Sequence, residues 1–136
     1  MITYPFTYKR AKSVAEAESL LKGSADAKLL AGGQTLIAAM KMRLANPSDL
    51  IDISGIKELS YIRVSRDAVS IGAATTHSDV ATSADVSRAL PALAYLASLI
   101  GDPAVRHKGT IGGSVANNDP AADYPAALVG LGATIK

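Results

Sequence analysis

At 136 residues, 49% of them hydrophobic and 19% charged, the chain is long enough to bury the core of one ordinary domain. Its net charge of +2, with lysine and arginine dispersed, argues against nucleic acid or an anionic membrane as a partner. Cysteine is absent, which removes disulfides, thiolate metal ligands, iron–sulfur ligation, cysteinyl-flavin links and thiol nucleophiles, so any redox chemistry must come from a bound cofactor.

The opening Met1-Ile2-Thr3-Tyr4-Pro5 soon reaches Lys9, Arg10 and Lys12, with no apolar stretch fit for a signal peptide or a membrane span, and reads as cytoplasmic. Phe6 and Tyr8 alternate with polar neighbours in a predicted first strand. Ser13 and Glu16 stand at capping-box spacing ahead of an apolar stripe of Val14, Ala17, Leu20 and Leu21 that ends before Gly23. Lys28 to Ala31 reads as a strand, and Leu36, Ile37, Met40 and Leu44 recur at helical spacing up to Pro47. Leu50 to Ile53 is the next strand, which closes a β-α-β-α-β unit over residues 1–54 at Ser54-Gly55.

Residues 55–136 read as a second subdomain. Leu59 to Val64 and Ala68 to Ala73 form an antiparallel hairpin about Ser65-Arg66-Asp67. Residues 84–100 are helical, with Pro91 in a first turn or between two helices, and His77 follows two threonines at a helix start. A further helix opens at Pro120 and runs through Leu131, and Ala133-Thr134-Ile135 reads as a strand. That strand has no successor, so the sequence is expected to be the first part of a longer subunit with an incomplete second subdomain.

Two glycine pairs interrupt this pattern, Ala31-Gly32-Gly33-Gln34-Thr35 and Thr110-Ile111-Gly112-Gly113-Ser114. Glycine has no Cβ, so paired glycines let backbone N–H groups close on a phosphate, and the hydroxyls of Thr35, Thr110 and Ser114 add donors. Two such loops suit one diphosphate and hence a dinucleotide such as FAD or NAD. Asp52 lies about where a Rossmann fingerprint places its acidic residue, but the third glycine is missing, which leaves a nicotinamide site as the second reading. A scaffold without a cofactor is the third. Each pair also has a plain reading as a turn or a packing point, and Asp119 and Asp123 as helix caps. Arg106, His107 and Lys108 read as a solvated turn. No acid–base pair, nucleophile or metal-ligand cluster stands out, so no catalytic and no metal residue is assigned.

Leu30-Ala31-Gly32-Gly33-Gln34-Thr35-Leu36-Ile37, Met40-Lys41-Met42-Arg43 and Leu50-Ile51-Asp52-Ile53 resemble the FAD-binding medium subunit of carbon monoxide dehydrogenase and its relatives. Ile71-Gly72-Ala73-Ala74-Thr75-Thr76-His77, Thr110 to Asn117 and Asp119-Pro120-Ala121-Ala122-Asp123 extend the resemblance over the whole chain. These subunits serve the molybdenum hydroxylases, the group of xanthine dehydrogenase and the aldehyde oxidoreductases. The resemblance implies an α+β, α/β-like fold: a two-subdomain FAD-binding domain of the p-cresol methylhydroxylase type. It implies non-covalent FAD held by Ala31, Gly32, Gly33, Gln34, Thr35, Leu36 and Ile37 in one loop and by Thr110, Ile111, Gly112, Gly113 and Ser114 in the other. Ala116 and Asn117 then continue along the ribityl chain, Asp123 accepts from cofactor hydroxyls, and Gly101 and Val105 lie near the adenosine end. Thr75, Thr76 and His77 match a segment close to the flavin, with no role implied for His77.

The resemblance further implies an electron-transfer subunit. It takes electrons from [2Fe–2S] clusters on a small partner subunit, works beside a large molybdopterin subunit in a dimer of heterotrimers, and passes electrons to an external acceptor. Gly113→Val is expected to lower FAD content, both by blocking the diphosphate and by disfavouring a positive φ. The 136-residue chain alone is expected to bind FAD poorly or not at all, because little apolar wall surrounds the two ring systems.

Overall fold

The computed structural model describes residues 2–136, and the chain divides into two compact units, Met1–Glu58 and Leu59–Lys136. Glu58 stays with the first unit because its Oε1 accepts a hydrogen bond from Val14 N at 3.0 Å.

In the first unit three short strands, β1 (Thr7–Arg10), β2 (Lys28–Leu30) and β3 (Asp49–Asp52), form a parallel sheet in the order β1-β3-β2. Parallel neighbours need crossovers, and these are supplied by α1 (Val14–Lys22) and α2 (Leu36–Lys41). The register pairs Tyr8 and Lys28 with Leu50, and Lys9 and Leu29 with Ile51, so β3 is central. Leu50, Ile51 and Ile56 are buried with Met40, Ala11, Ala17 and Ala27. The small residues let α1 approach the sheet closely.

Ser13 caps α1 as its spacing predicts, accepting from Glu16 N at 3.1 Å, but the Glu16 carboxylate reaches back to Lys12 N at 2.8 Å instead of to Ser13 N. Helix α2 departs from expectation. It stops at Lys41 instead of continuing toward Pro47, because Arg43 takes a left-handed conformation with φ 60°. Leu44 N then donates to Ala39 O at 2.8 Å and Arg43 N to Met40 O at 3.0 Å, the crossed pair of bonds that closes a Schellman turn. Leu44 is left exposed.

The second unit opens with the antiparallel hairpin β4 (Ile62–Val64) and β5 (Val69–Ile71), whose turn is tied by Ser65 to Ala68. Six helices follow: α3 (His77–Thr82), α4 (Ala84–Ala89), α5 (Pro91–Leu99), α6 (Pro103–Arg106), α7 (Ile111–Asn117) and α8 (Asp123–Gly130). Pro91 both separates α4 from α5 and occupies the first turn of α5, where its missing N–H costs nothing. Val80, Val86, Leu93, Ala94, Ala97, Ile111 and Tyr124 make one core.

Three sequence expectations fail here. The Thr110 to Ser114 segment is not a loop: Thr110 is the N-cap of α7, and the glycine pair lies in the first turn of that helix. Ala133 to Ile135 is not a strand. Gly132, at φ 64°, and the bonds Ala133 N to Leu128 O and Gly132 N to Val129 O close α8 with a second Schellman turn, and among the described residues no strand lies beside the segment. The start of α8 is also later than predicted. Asp119 Oδ1 accepts from Ala121 N at 2.9 Å and holds a turn ahead of the helix, so Pro125 sits within its first turn.

Candidate functional site

The first glycine pair leaves the carboxyl end of β2, where Leu30 O accepts from Ile53 N at 2.9 Å and fixes the strand end. Parallel α/β sheets present ligand sites at that end of their strands. Gly33 is at φ 71°, a conformation that any side chain strains, and its turn leads into α2. Thr35 occupies the N-cap of α2 yet makes no side-chain cap bond. Among the described residues the amides of Gly32, Gly33, Gln34 and Thr35 donate to no backbone acceptor. Ala31, Gly32, Gly33 and Leu36 are half-buried, whereas Gln34, Thr35 and Ile37 are exposed. A string of free amides beside a left-handed residue is the chemistry of an anion nest.

The second pair is built differently. Thr110 Oγ1 accepts from Gly113 N at 3.1 Å, Gly112 N donates to Ala73 O at 2.9 Å, Ile111 N to Thr75 O at 3.1 Å and Ser114 N to Thr110 O at 3.0 Å. Every amide from Ile111 to Ser114 is committed within the unit. Gly112 is there for close packing, since a Cβ on it would stand 2.5 Å from Ala73 Cβ and 2.6 Å from Ala73 O. Gly113 is exposed, and a Cβ there would meet only Thr110 Oγ1, at 2.8 Å. Its φ is not positive, so the backbone part of the expected Gly113→Val effect disappears and only the steric part remains.

Ala116 and Asn117 are exposed in the last turn of α7, which Asn118 ends in a left-handed conformation. Asp123 is exposed at the start of α8, its carboxylate free among the described residues. Gly101, at φ 53°, turns the chain against Val105. Arg106 does not project as a free cation: its Nη1 donates to Ile100 O and Gly101 O at 3.2 and 3.0 Å. His107 Nδ1 contacts Pro103 O at 2.6 Å, and Lys108 is exposed.

Residues outside the glycine pairs complete this region. Thr76 bridges Thr110 in antiparallel fashion, and His77 N donates to Gly109 O at 2.9 Å. The His77 ring is buried, lies against Tyr124 with centroids 5.3 Å apart, and burial holds its pKa below the ordinary value. Tyr124 is fully buried and desolvation pushes its hydroxyl pKa well up. His77 Nδ1 and Tyr124 Oη have no hydrogen-bond partner among the described residues. Sequence reading passed over Gly109 and Tyr124. A third glycine just before Thr110 was the available signal for the first, but the Tyr124 contact is purely tertiary.

Asp52 is the residue on which a nicotinamide reading rests. Burial raises its carboxyl pKa, but hydrogen bonds from Tyr8 OH at 2.5 Å and Ser54 N at 2.8 Å, with the charge of Arg10, outweigh that and hold it below the ordinary value. An acid so occupied is an internal strut of the sheet, not a ribose acceptor.

The profile of the FAD binding domain in molybdopterin dehydrogenase matches residues 4–136. The chain belongs to this family. As a member of the FAD-binding domains of molybdopterin dehydrogenases, it is 48% identical to the carbon monoxide dehydrogenase medium chain of Hydrogenophaga pseudoflava, over 96% of this chain and 46% of that protein. It is 42% identical to the glyceraldehyde dehydrogenase medium chain of Sulfolobus acidocaldarius, over 97% of this chain and 48% of that one. A solved carbon monoxide dehydrogenase from Hydrogenophaga pseudoflava, lacking the Mo-pyranopterin moiety of its cofactor, superposes with a TM-score of 0.91 at 50% identity, over 93% of this chain and 45% of that chain. The chain thus spans about half the length of the relatives it matches. The α+β mixture expected from sequence is found, and FAD is the cofactor of the family.

Proposed function

We propose that this chain supplies the FAD-holding part of a flavoprotein subunit in a cytoplasmic molybdenum hydroxylase, an oxidoreductase complex. The subunit relays electrons from [2Fe–2S] clusters of a small partner subunit, in a dimer of heterotrimers with a large molybdopterin subunit, to an external acceptor. The observation that carries this reading is the free-amide turn of Gly32 to Thr35 in a chain whose family is defined by FAD. Bound FAD supplies one- and two-electron chemistry, and the protein has to position it more than react with it. In this reading Ala31 to Ile37 grip the diphosphate with backbone N–H groups, and Thr110 to Ser114 is a second FAD-contacting segment of a p-cresol methylhydroxylase-type domain. The second segment acts mainly through the Thr110 and Ser114 hydroxyls, because its amides are already bonded. Asp123, with its carboxylate exposed, accepts from cofactor hydroxyls, and Ala116 and Asn117 flank the ribityl chain.

Titration of FAD and, separately, of NAD(H) into the chain, followed by amide chemical shifts, tests this. FAD is expected to move the amides of Gly32 to Thr35 and of Thr110 to Ser114, even at weak affinity, while NAD(H) moves neither set. Shifts in one segment alone remove the other from the FAD contacts. Shifts in neither segment, in this chain and in the full-length subunit alike, defeat the flavoprotein reading.

A further inference from the structure

His77 belongs to no hydrogen-bonded side-chain network, yet it is placed against the segment that the reading above assigns to FAD. Its backbone N donates to Gly109 O at 2.9 Å, and its ring fills the space in front of Gly109 Cα. A Cβ on Gly109 would lie 2.5 Å from His77 Nε2, 2.8 Å from Cδ2 and 3.3 Å from Val105 O, so the absent side chain is what admits the imidazole. Gly109 is itself buried, and its N donates to Val105 O at 2.7 Å. Thr76 and Thr75, just before His77, hold Thr110 by a β-bridge and Ile111 N by a 3.1 Å hydrogen bond. On its other side the ring packs on Tyr124 of α8 at an interplanar angle of 43°. The imidazole is wedged between the fully buried Tyr124 and the backbone that leads into α7.

An ordinary core residue in this place would be apolar, because a buried ring nitrogen without a partner is costly. We infer that His77 is a positioning residue: its imidazole, seated on Gly109, sets the pose of Thr110 to Ser114 against which FAD is held. This rests on the flavoprotein reading for its consequence, but not for its geometry. The two glycines of the region then divide the work, Gly109 admitting the wedge and Gly112 letting α7 close on Ala73.

The test is a double-mutant cycle on the chain, with Gly109→Ala, His77→Ala and the pair, and with His77→Asn as the conservative variant. Amide hydrogen exchange at Ile111 to Ser114 is read against β3 of the first unit as an internal standard, and FAD affinity is read by flavin fluorescence quenching. Gly109→Ala is expected to speed exchange at Ile111 to Ser114 and to weaken FAD binding, each by about tenfold, with β3 unchanged. His77→Ala alone is expected to speed the same exchange and weaken FAD binding, and the pair to lose no more than the larger single loss, because both changes act through one contact. Should Gly109→Ala fail to fold, His77→Asn alone decides: the inference expects faster exchange confined to Gly109 through Ser114. Additive losses in the cycle, or exchange that rises equally through α3 and α5, overturn it. Segments that do not respond to FAD, in the wild-type chain and in the full-length subunit alike, overturn the flavoprotein reading, while the exchange result still decides whether His77 positions the segment.

Discussion

In the segment from Ala31 to Thr35 the glycines bend the backbone and leave a run of amides unpaired, whereas from Thr110 to Ser114 the same dipeptide sits inside a helix with each amide from Ile111 onward bonded. One has its amides unpaired. The other is packed on Ala73 and capped by Thr110. The difference teaches that a Gly-Gly pair specifies close backbone approach without saying what approaches. In the first unit the donors after a strand end are left unpaired, as a ligand requires, and in the second the group that approaches Gly112 is the protein itself.

The sharpest way to break this comparison is Gly112→Ala set beside Gly113→Ala. At Gly112 the new methyl meets backbone and Cβ atoms that cannot swing away, so the second unit should lose about 3 kcal/mol, far more than the helix propensity gained. At Gly113 the only neighbour is a rotatable hydroxyl, and the propensity gain of about 1 kcal/mol roughly offsets a weakened cap. Chemical denaturation checks both. Equal losses at the two positions would mean that Gly112 is not the packing glycine.

Gly33→Ala comes next. The left-handed φ should cost about 1–2 kcal/mol, and the Ile37 Cδ1 atom 2.6 Å away must turn aside. In the first loop the loss should also weaken FAD binding, since the amides change direction. A variant of full stability and full affinity would show that the positive φ is incidental.

Thr110→Val and Thr35→Val sharpen the comparison at a smaller scale. Loss of the Thr110 cap should cost about 1 kcal/mol, and Thr35→Val close to nothing, because Thr35 makes no cap bond. With FAD present the Thr35→Val chain should nevertheless bind less well, since its hydroxyl is free for the ligand. Thermal melts of the apo chain beside FAD titrations separate the two effects.

The elements that sequence revealed are those with a periodic or capped signal. The two crossovers of the first unit, the 62–71 hairpin and the break at Pro91 all follow from spacing, turn residues and caps. What escaped depends on contacts or on rare backbone choices. Arg43 takes a left-handed position usually filled by glycine, so nothing in the pattern of Leu36, Ile37, Met40 and Leu44 announces that α2 ends at Lys41. Ala133-Thr134-Ile135 has the composition of a strand, but its first amide is spent closing α8. Glycines at 112 and 113 argue against helix by propensity, and only the Thr110 cap and the tie to Ala73 outweigh them. Of the candidate site, the free turn at Gly33 was legible as a glycine pair. The buried His77 and Tyr124 rings behind Gly109 were not, because they meet only in the fold.

The smallest expected effect concerns acid, where the two units should part company. Asp49 accepts from Lys9 at 2.8 Å, Ser48 at 2.8 Å and Ser24 at 2.9 Å, and these bonds, the lysine's foremost, lower its pKa from 3.8 to about 2. A depressed carboxyl binds its proton more readily unfolded, so its contribution is complete above pH 3.8 and is lost as pH falls toward 2. His77 has the opposite chemistry but the same sign. Burial lowers its pKa from 6.5, the unfolded chain takes up the proton first, and stability falls as pH drops below 6.5. The second unit should therefore begin to weaken in a milder range than the first. Amide exchange followed from pH 7 to 2, at β3 for one unit and at α5 for the other, resolves the two windows. Asp49→Asn should flatten only the lower window and His77→Asn only the upper, and a single shared window that neither substitution alters would mean that these two groups do not govern the acid response.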